Sequence, residues 1–186
     1  MEEHTKRRAR VGAQFGRPVP RPAAGGVCVL AGVELSEAEL AACCASRRWV
    51  AAVAGHRDMA ALRAASRRAL EKLAWADVEE ALAAHPRIGE RAGGGGREAG
   101  WSRGEQSGMD GAAAELRDAL VEGNRAYEER FGHVFLIRAS GRSALEMLAE
   151  LRERLGNDAA TERAVVRREL AEIVDLRLVK LAEERA

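Results

Sequence analysis

Two compact polar clusters, His85-Pro86-Arg87-Ile88-Gly89-Glu90 and Ser102-Arg103-Gly104-Glu105-Gln106, flank a glycine run from Gly93 to Gly96. Proline disfavours α geometry in the residue before it, so His85 falls at or just past the end of a helix. There an imidazole can face a cavity without being packed between helices, and it exchanges protons near neutral pH. His85 is thus the leading candidate for acid–base chemistry. The alternative is a helix-terminal histidine resting on the carbonyl end of the dipole. Ser102, Glu105 and Gln106 stand at i, i+3 and i+4, on one face of a single turn. A hydroxyl, a carboxylate and an amide so placed suit a ligand rich in N–H and C=O groups. Ser102 to Glu105 also fits a capping box, whose helix start would add N–H groups for an anion. The plainer alternative is that these residues only begin a helix.

Arg177 is the second informative position. Val166, Leu170, Ile173, Val174 and Leu181 fall on one stripe at 100° per residue, and Arg177 lies at its centre. A guanidinium turned into a core is costly unless an anion meets it. The anion is either a protein carboxylate or a bound ligand, and the stripe alone leaves both open. The glycine run lacks the Lys-Ser/Thr of a phosphate loop and follows no strand, which favours a flexible lid over a nucleotide site. His4, His56 and His133 have no i, i+4 partnering with carboxylates or cysteines, so no zinc site is expected.

The elements that must position these residues are helical. Ser36 to Glu39 forms a capping box ahead of Leu40, Cys43 and Cys44. A second helix covers about 47–54, and Asp58 caps a third with Met59, Leu62, Ser66, Ala69, Leu70 and Leu73 on one face. Asp77 is expected to open a fourth, with Val78, Ala81 and Leu82 inward, running into His85-Pro86. A long helix is expected from about Gly111 to Arg130, striped by Leu116, Leu120, Gly123, Tyr127 and Phe131 and ended by Gly132. The run 133–137 is the one β-like stretch and has no second strand, so it reads as an extended connector. Ala144, Leu148, Leu151 and Leu155 stripe the next helix, and the last runs from about Ala159 to Glu183. The fold class is all-α, a single helical domain over 34–186. Residues 1–33 carry all but one of the four prolines and a set of basic side chains, and read as a flexible arm.

Composition excludes several classes. With 47% hydrophobic and 32% charged residues, the 186-residue chain supports one sizeable core. A net charge of +1 argues against a whole-molecule nucleic-acid binder. Three cysteines, Cys28 and the adjacent Cys43 and Cys44, make neither a disulfide framework nor metal-ligand spacing. No apolar run reaches the roughly 20 residues of a membrane span. The opening lacks the apolar centre of a secretory signal, and Glu184-Arg185-Ala186 is not a peroxisomal ending, so a cytoplasmic location is expected.

The motifs, in order, are Cys43-Cys44-Ala45-Ser46-Arg47-Arg48-Trp49, the block from His85 to Glu90, and Trp101-Ser102 with Glu105-Gln106. They continue with Asn124, Tyr127 and Phe131-Gly132, then Phe135-Leu136-Ile137-Arg138-Ala139, then Glu172-Ile173 through Arg177-Leu178. From about Leu35 onward the chain resembles the 2-oxo-4-hydroxy-4-carboxy-5-ureidoimidazoline (OHCU) decarboxylases, which form (S)-allantoin in urate breakdown. The resemblance implies an all-helical homodimer working without metal or organic cofactor. It implies His85 as the catalytic histidine, substrate contacts from Pro86, Ser102, Glu105 and Gln106, main-chain contacts from the Ile137-Arg138-Ala139 connector, and Arg177 as the anion-binding arginine. Two rivals stand beside it. One is a decarboxylase of a related ureido or imidazoline acid. The other is a helical interaction module using the basic arm on nucleic acid, whose binding would weaken steeply with salt.

Overall fold

The computed structural model describes residues 35–90 and 96–185. Eight α-helices and one 3₁₀ turn form the described chain, and no strand occurs among the described residues, so the all-α expectation holds. The expected arm and most of the glycine run lie outside the described residues.

Helices α1 (Glu37–Cys43), α2 (Arg47–Val53), α3 (Met59–Lys72) and α4 (Trp75–Leu82) come first. Local chemistry starts most of them. Ser36 and Glu39 make the reciprocal capping box of α1, Ser46 caps α2, and Asp58 accepts from the Ala61 N–H at the head of α3. Helix α4 starts two residues earlier than expected. Asp77 sits inside its first turn and accepts from the Ala74 N–H at 2.9 Å, an N3 carboxylate rather than an N-cap. Helix α5 (Arg97–Glu105) leads into the 3₁₀ turn Ser107–Met109, and then come α6 (Ala114–Phe131), α7 (Ala144–Arg154) and α8 (Ala159–Glu183). Gly132, at φ 78°, closes α6 in the left-handed region, and its N–H donates to the Glu128 carbonyl.

Two apolar clusters organise the interior. One gathers α1 to α4 around α8, with Trp49, Leu62, Leu82, Val166 and Leu170 among its fully buried members. The other joins α6 to α7 through Leu120, Tyr127, Met147 and Leu151, and takes in Ile88 and Phe135. Gly123 lets these helices close up, because a Cβ there would meet Leu151 Cδ2 at 2.4 Å. The connector 133–139 crosses the seam between the clusters, giving Leu136 to the first and Phe135, Ile137 and Ala139 to the second. Among the described residues no helix is long and apolar enough to cross a membrane.

Candidate active site

A narrow pocket opens along that seam. His85 and Pro86 enter from the loop after α4, Ser102, Glu105 and Gln106 from the end of α5, and Arg177 with Ile173 from α8. Phe135, Leu136, Ile137 and Ala139 complete the wall from the connector. The imidazole and the guanidinium, separated by about half of the chain, therefore share one cavity.

Arg177 is only 2% exposed, and its stripe reads inward as the sequence required. Its anion is a protein carboxylate. Nε and Nη2 donate to the two Glu105 oxygens at 3.2 and 2.9 Å, the fork geometry that suits a guanidinium. Nη2 also donates to Ser102 Oγ at 3.0 Å, and Nη1 to the Ala42 carbonyl at 3.3 Å. Lys180 Nζ reaches Glu105 Oε1 at 3.3 Å, so two cations share one carboxylate. Burial alone would raise the Glu105 pKa, but its bonds to Arg177 and the charges of Arg177 and Lys180 outweigh that and hold it below the ordinary range.

Among the described residues neither ring nitrogen of His85 has a protein hydrogen-bond partner. Burial and the neighbouring Arg177 charge push its pKa down to about 3, against a smaller opposing pull from Glu105. The imidazole is neutral at physiological pH, and either nitrogen is open to a ligand. Its backbone is well held. His85 N–H donates to the Leu82 carbonyl at 2.9 Å, ending α4 as the following proline demands. Gly89, at φ 88°, donates its N–H to Gln106 Oε1 at 3.0 Å, while Gln106 Nε2 donates to the Arg87 carbonyl at 3.3 Å.

The structure departs from the sequence reading at two points. Ser102 does not begin a helix. Helix α5 starts at Arg97 with Gly96 as its N-cap, so Ser102 lies in its later half and no helix start adds N–H groups beside Ser102 and Glu105. The Ser-x-x-Glu spacing misled because it also places two residues on one helix face. The other departure is Arg138, which does not line the pocket. Its N–H is taken by Glu169 Oε2 at 2.8 Å and its guanidinium reaches out to Glu172 at 2.9 Å.

Sequence reasoning missed a second buried charge node. Arg154 and Glu162 pair at 2.5 Å with 2% and 0% exposure, and Tyr127 donates its hydroxyl to the same carboxylate. Arg154 Nη1 donates to the Leu136 carbonyl at 2.8 Å, fixing the connector that walls the pocket. The signal was present, since Glu162 precedes Val166 by four on the stripe that holds Arg177.

Fold and site together define an all-helical unit with a polar slot that sets a neutral imidazole against an arginine–carboxylate pair. The OHCU decarboxylase family model matches residues 33–179, and the chain belongs to that family. The uric acid degradation bifunctional protein TTL of Arabidopsis thaliana is 38% identical over 74 residues, 40% of this chain and 23% of that protein. The 2-oxo-4-hydroxy-4-carboxy-5-ureidoimidazoline decarboxylase of Amia calva is 40% identical over 79 residues, 41% of this chain and 45% of that one. The chain thus spans less than half the length of these two curated relatives. A crystal structure of OHCU decarboxylase in the presence of (S)-allantoin matches with TM-score 0.68 and 30% identity, covering 78% of this chain and 98% of that one. A crystal structure of (S)-allantoin synthase shares the fold at TM-score 0.58 and 17% identity, covering 77% and 48%.

Proposed function

We propose that this protein decarboxylates OHCU to (S)-allantoin in urate degradation, with no metal or organic cofactor. The observation that carries this reading is the placing of an unpartnered neutral imidazole in the same pocket as the Arg177–Glu105 pair. The substrate carries a hydroxyl and a carboxylate on one ring carbon, beside an imine. When the carbon–carboxylate bond breaks, its electron pair forms a double bond to the neighbouring carbon, and the imine π pair passes to nitrogen, which takes a proton. His85 removes the hydroxyl proton, the carbonyl forms, and the enol carbon is protonated on one face to give the (S) product. A neutral imidazole is the form that can accept that proton, and such a positioned base contributes roughly 10²–10⁴-fold.

The guanidinium of Arg177 already spends its fork on Glu105 and Ser102, so its part is to fix those two groups and favour the substrate anion electrostatically. Glu105 and the remaining donor capacity of Gln106 face the ureido and ring amides, with Pro86, Ile137 and Ala139 shaping the walls. A homodimer and a cytoplasmic location, implied by the resemblance and the sequence, belong to the same proposal. The test is to generate OHCU from urate in situ and compare its loss in buffer, with the protein, and with His85→Ala. The parent accelerates the loss, while His85→Ala folds normally and falls to the buffer rate. A variant that consumes OHCU as fast as the parent removes His85 from the mechanism.

A further inference from the structure

Asn124, Tyr127 and Glu128 occupy one face of a single turn of α6, at i, i+3 and i+4, and none of them lines the pocket. The Asn124 amide, 2% exposed, donates to the Ile88 carbonyl at 2.9 Å. Glu128 receives the Arg87 guanidinium on both oxygens, at 2.6 and 2.9 Å. Two successive residues of the loop that carries His85 are thus tied to one helix turn. We propose that Asn124 and Glu128 are positioning residues for His85, an inference that rests on the proposed catalytic role of that histidine.

Three observations support it. No side chain holds the His85 ring among the described residues, so its place is set by the main chain beneath it. That main chain is fixed at Leu82 before His85; after it Gln106 holds Arg87 and Gly89, Asn124 holds Ile88 between them, and Glu128 holds the Arg87 side chain. Asn124 is also a costly choice for packing alone, because its Oδ1 is buried without a partner among the described residues. A leucine there would remove that orphan acceptor but leave the Ile88 carbonyl without its donor, so what the amide supplies is the tie to the loop. The orientation is forced, since turning the amide over would bring its oxygen against the Ile88 carbonyl. Tyr127, between them, reaches the Arg154–Glu162 node that holds Leu136. One turn of α6 therefore anchors both the histidine loop and the facing wall.

The experiment uses the full chain as Asn124→Leu and Glu128→Ala, reading kcat, KM, cooperative melting and the ¹⁵N ring signals of His85, assigned by their loss in His85→Ala. In folded variants KM stays near the parent value, because Ser102, Glu105 and Arg177 are untouched. Displacing the imidazole lowers kcat roughly tenfold to a hundredfold in Asn124→Leu, and less in Glu128→Ala. The His85 ring signals shift or broaden, while those of His56, bonded to the Val53 carbonyl elsewhere, do not. A parent-like kcat in either folded variant overturns the proposal, as does activity that falls only in step with the folded fraction. Should Asn124→Leu fail to fold, Glu128→Ala, at a side chain 25% exposed, carries the same test. If the parent itself does not consume OHCU, the functional reading fails. The ring signals then decide the positioning on their own, unchanged signals overturning it.

Discussion

A histidine whose pKa is lowered to about 3 behaves differently from one that titrates at its ordinary 6.5. Below 6.5 the unfolded chain binds a proton at this position and the folded chain does not, so folding stability falls as pH drops from 6.5 towards 3. The low folded pKa of Glu105 acts in the same acid direction, its stabilisation being lost as pH falls through that value. On the proposed mechanism, catalysis by the unprotonated imidazole has no such limb near neutrality. We expect kcat/KM, corrected for the spontaneous reaction, to run level through pH 6.5; a fall on acidification centred there would contradict a neutral, half-buried His85. Arg177 is tested at the same scale. Arg177→Met keeps the stem and removes the charge, leaving Glu105 buried with Lys180 as its remaining cation. Loss of one partner from a buried pair costs about 3–5 kcal/mol, and we expect both a lower melting temperature and a raised KM. Lost stability with unchanged KM in the folded fraction would make Arg177 purely structural. His85 and Arg177 were legible in the sequence because each breaks a local rule, one at a proline, the other on an apolar stripe. Gln106 was legible as a polar site residue but not as the clamp of its neighbouring loop, since that bond depends on how two loops meet.

Helices place these groups by a few side-chain ties rather than by propensity alone. The connector 133–139 has no ladder partner among the described residues, so its carbonyls and N–H groups need side chains. Arg154 satisfies Leu136 and Glu169 satisfies Arg138, each from a helix on the far side of the seam. Burial alone would raise the Glu162 pKa, but hydrogen bonds from Arg154, Tyr127 and Asn157 hold it low, so the carboxylate stays charged inside the core. We expect Arg154→Met to destabilise the fold by about 3–5 kcal/mol in chemical denaturation, because it strands that carboxylate. A change within the noise would mean that Glu162 is protonated or solvated. Most helix boundaries were readable from capping residues and 3.6-residue stripes, as at Ser36, Asp58 and Gly132. Helix α5 was not, because its first turn follows a glycine run and offers no side-chain cap. The α6–α7 approach at Gly123 was half legible: the stripe included the glycine, but its reason, the Leu151 side chain, lies on another helix.

Across the whole molecule, two apolar clusters leave one polar seam, and the connector, α5 and α8 meet there. Family and fold class could be read from motif order because most of the motifs are pieces that line or tie this seam, while Cys43 to Trp49 packs in the first cluster. Which of the polar groups hold one another needed the assembled geometry: Glu105 binds Arg177, and Arg138 reaches Glu172. On the proposed function, the seam steers decarboxylation and the following protonation to one face of the ring. The most direct measurement is the optical rotation, or circular dichroism, of allantoin formed from freshly generated OHCU with the protein present. We expect a strong (S) signal that vanishes with His85→Ala, leaving the racemic product of the uncatalysed reaction. Racemic allantoin formed at the buffer rate by the folded parent protein would contradict it.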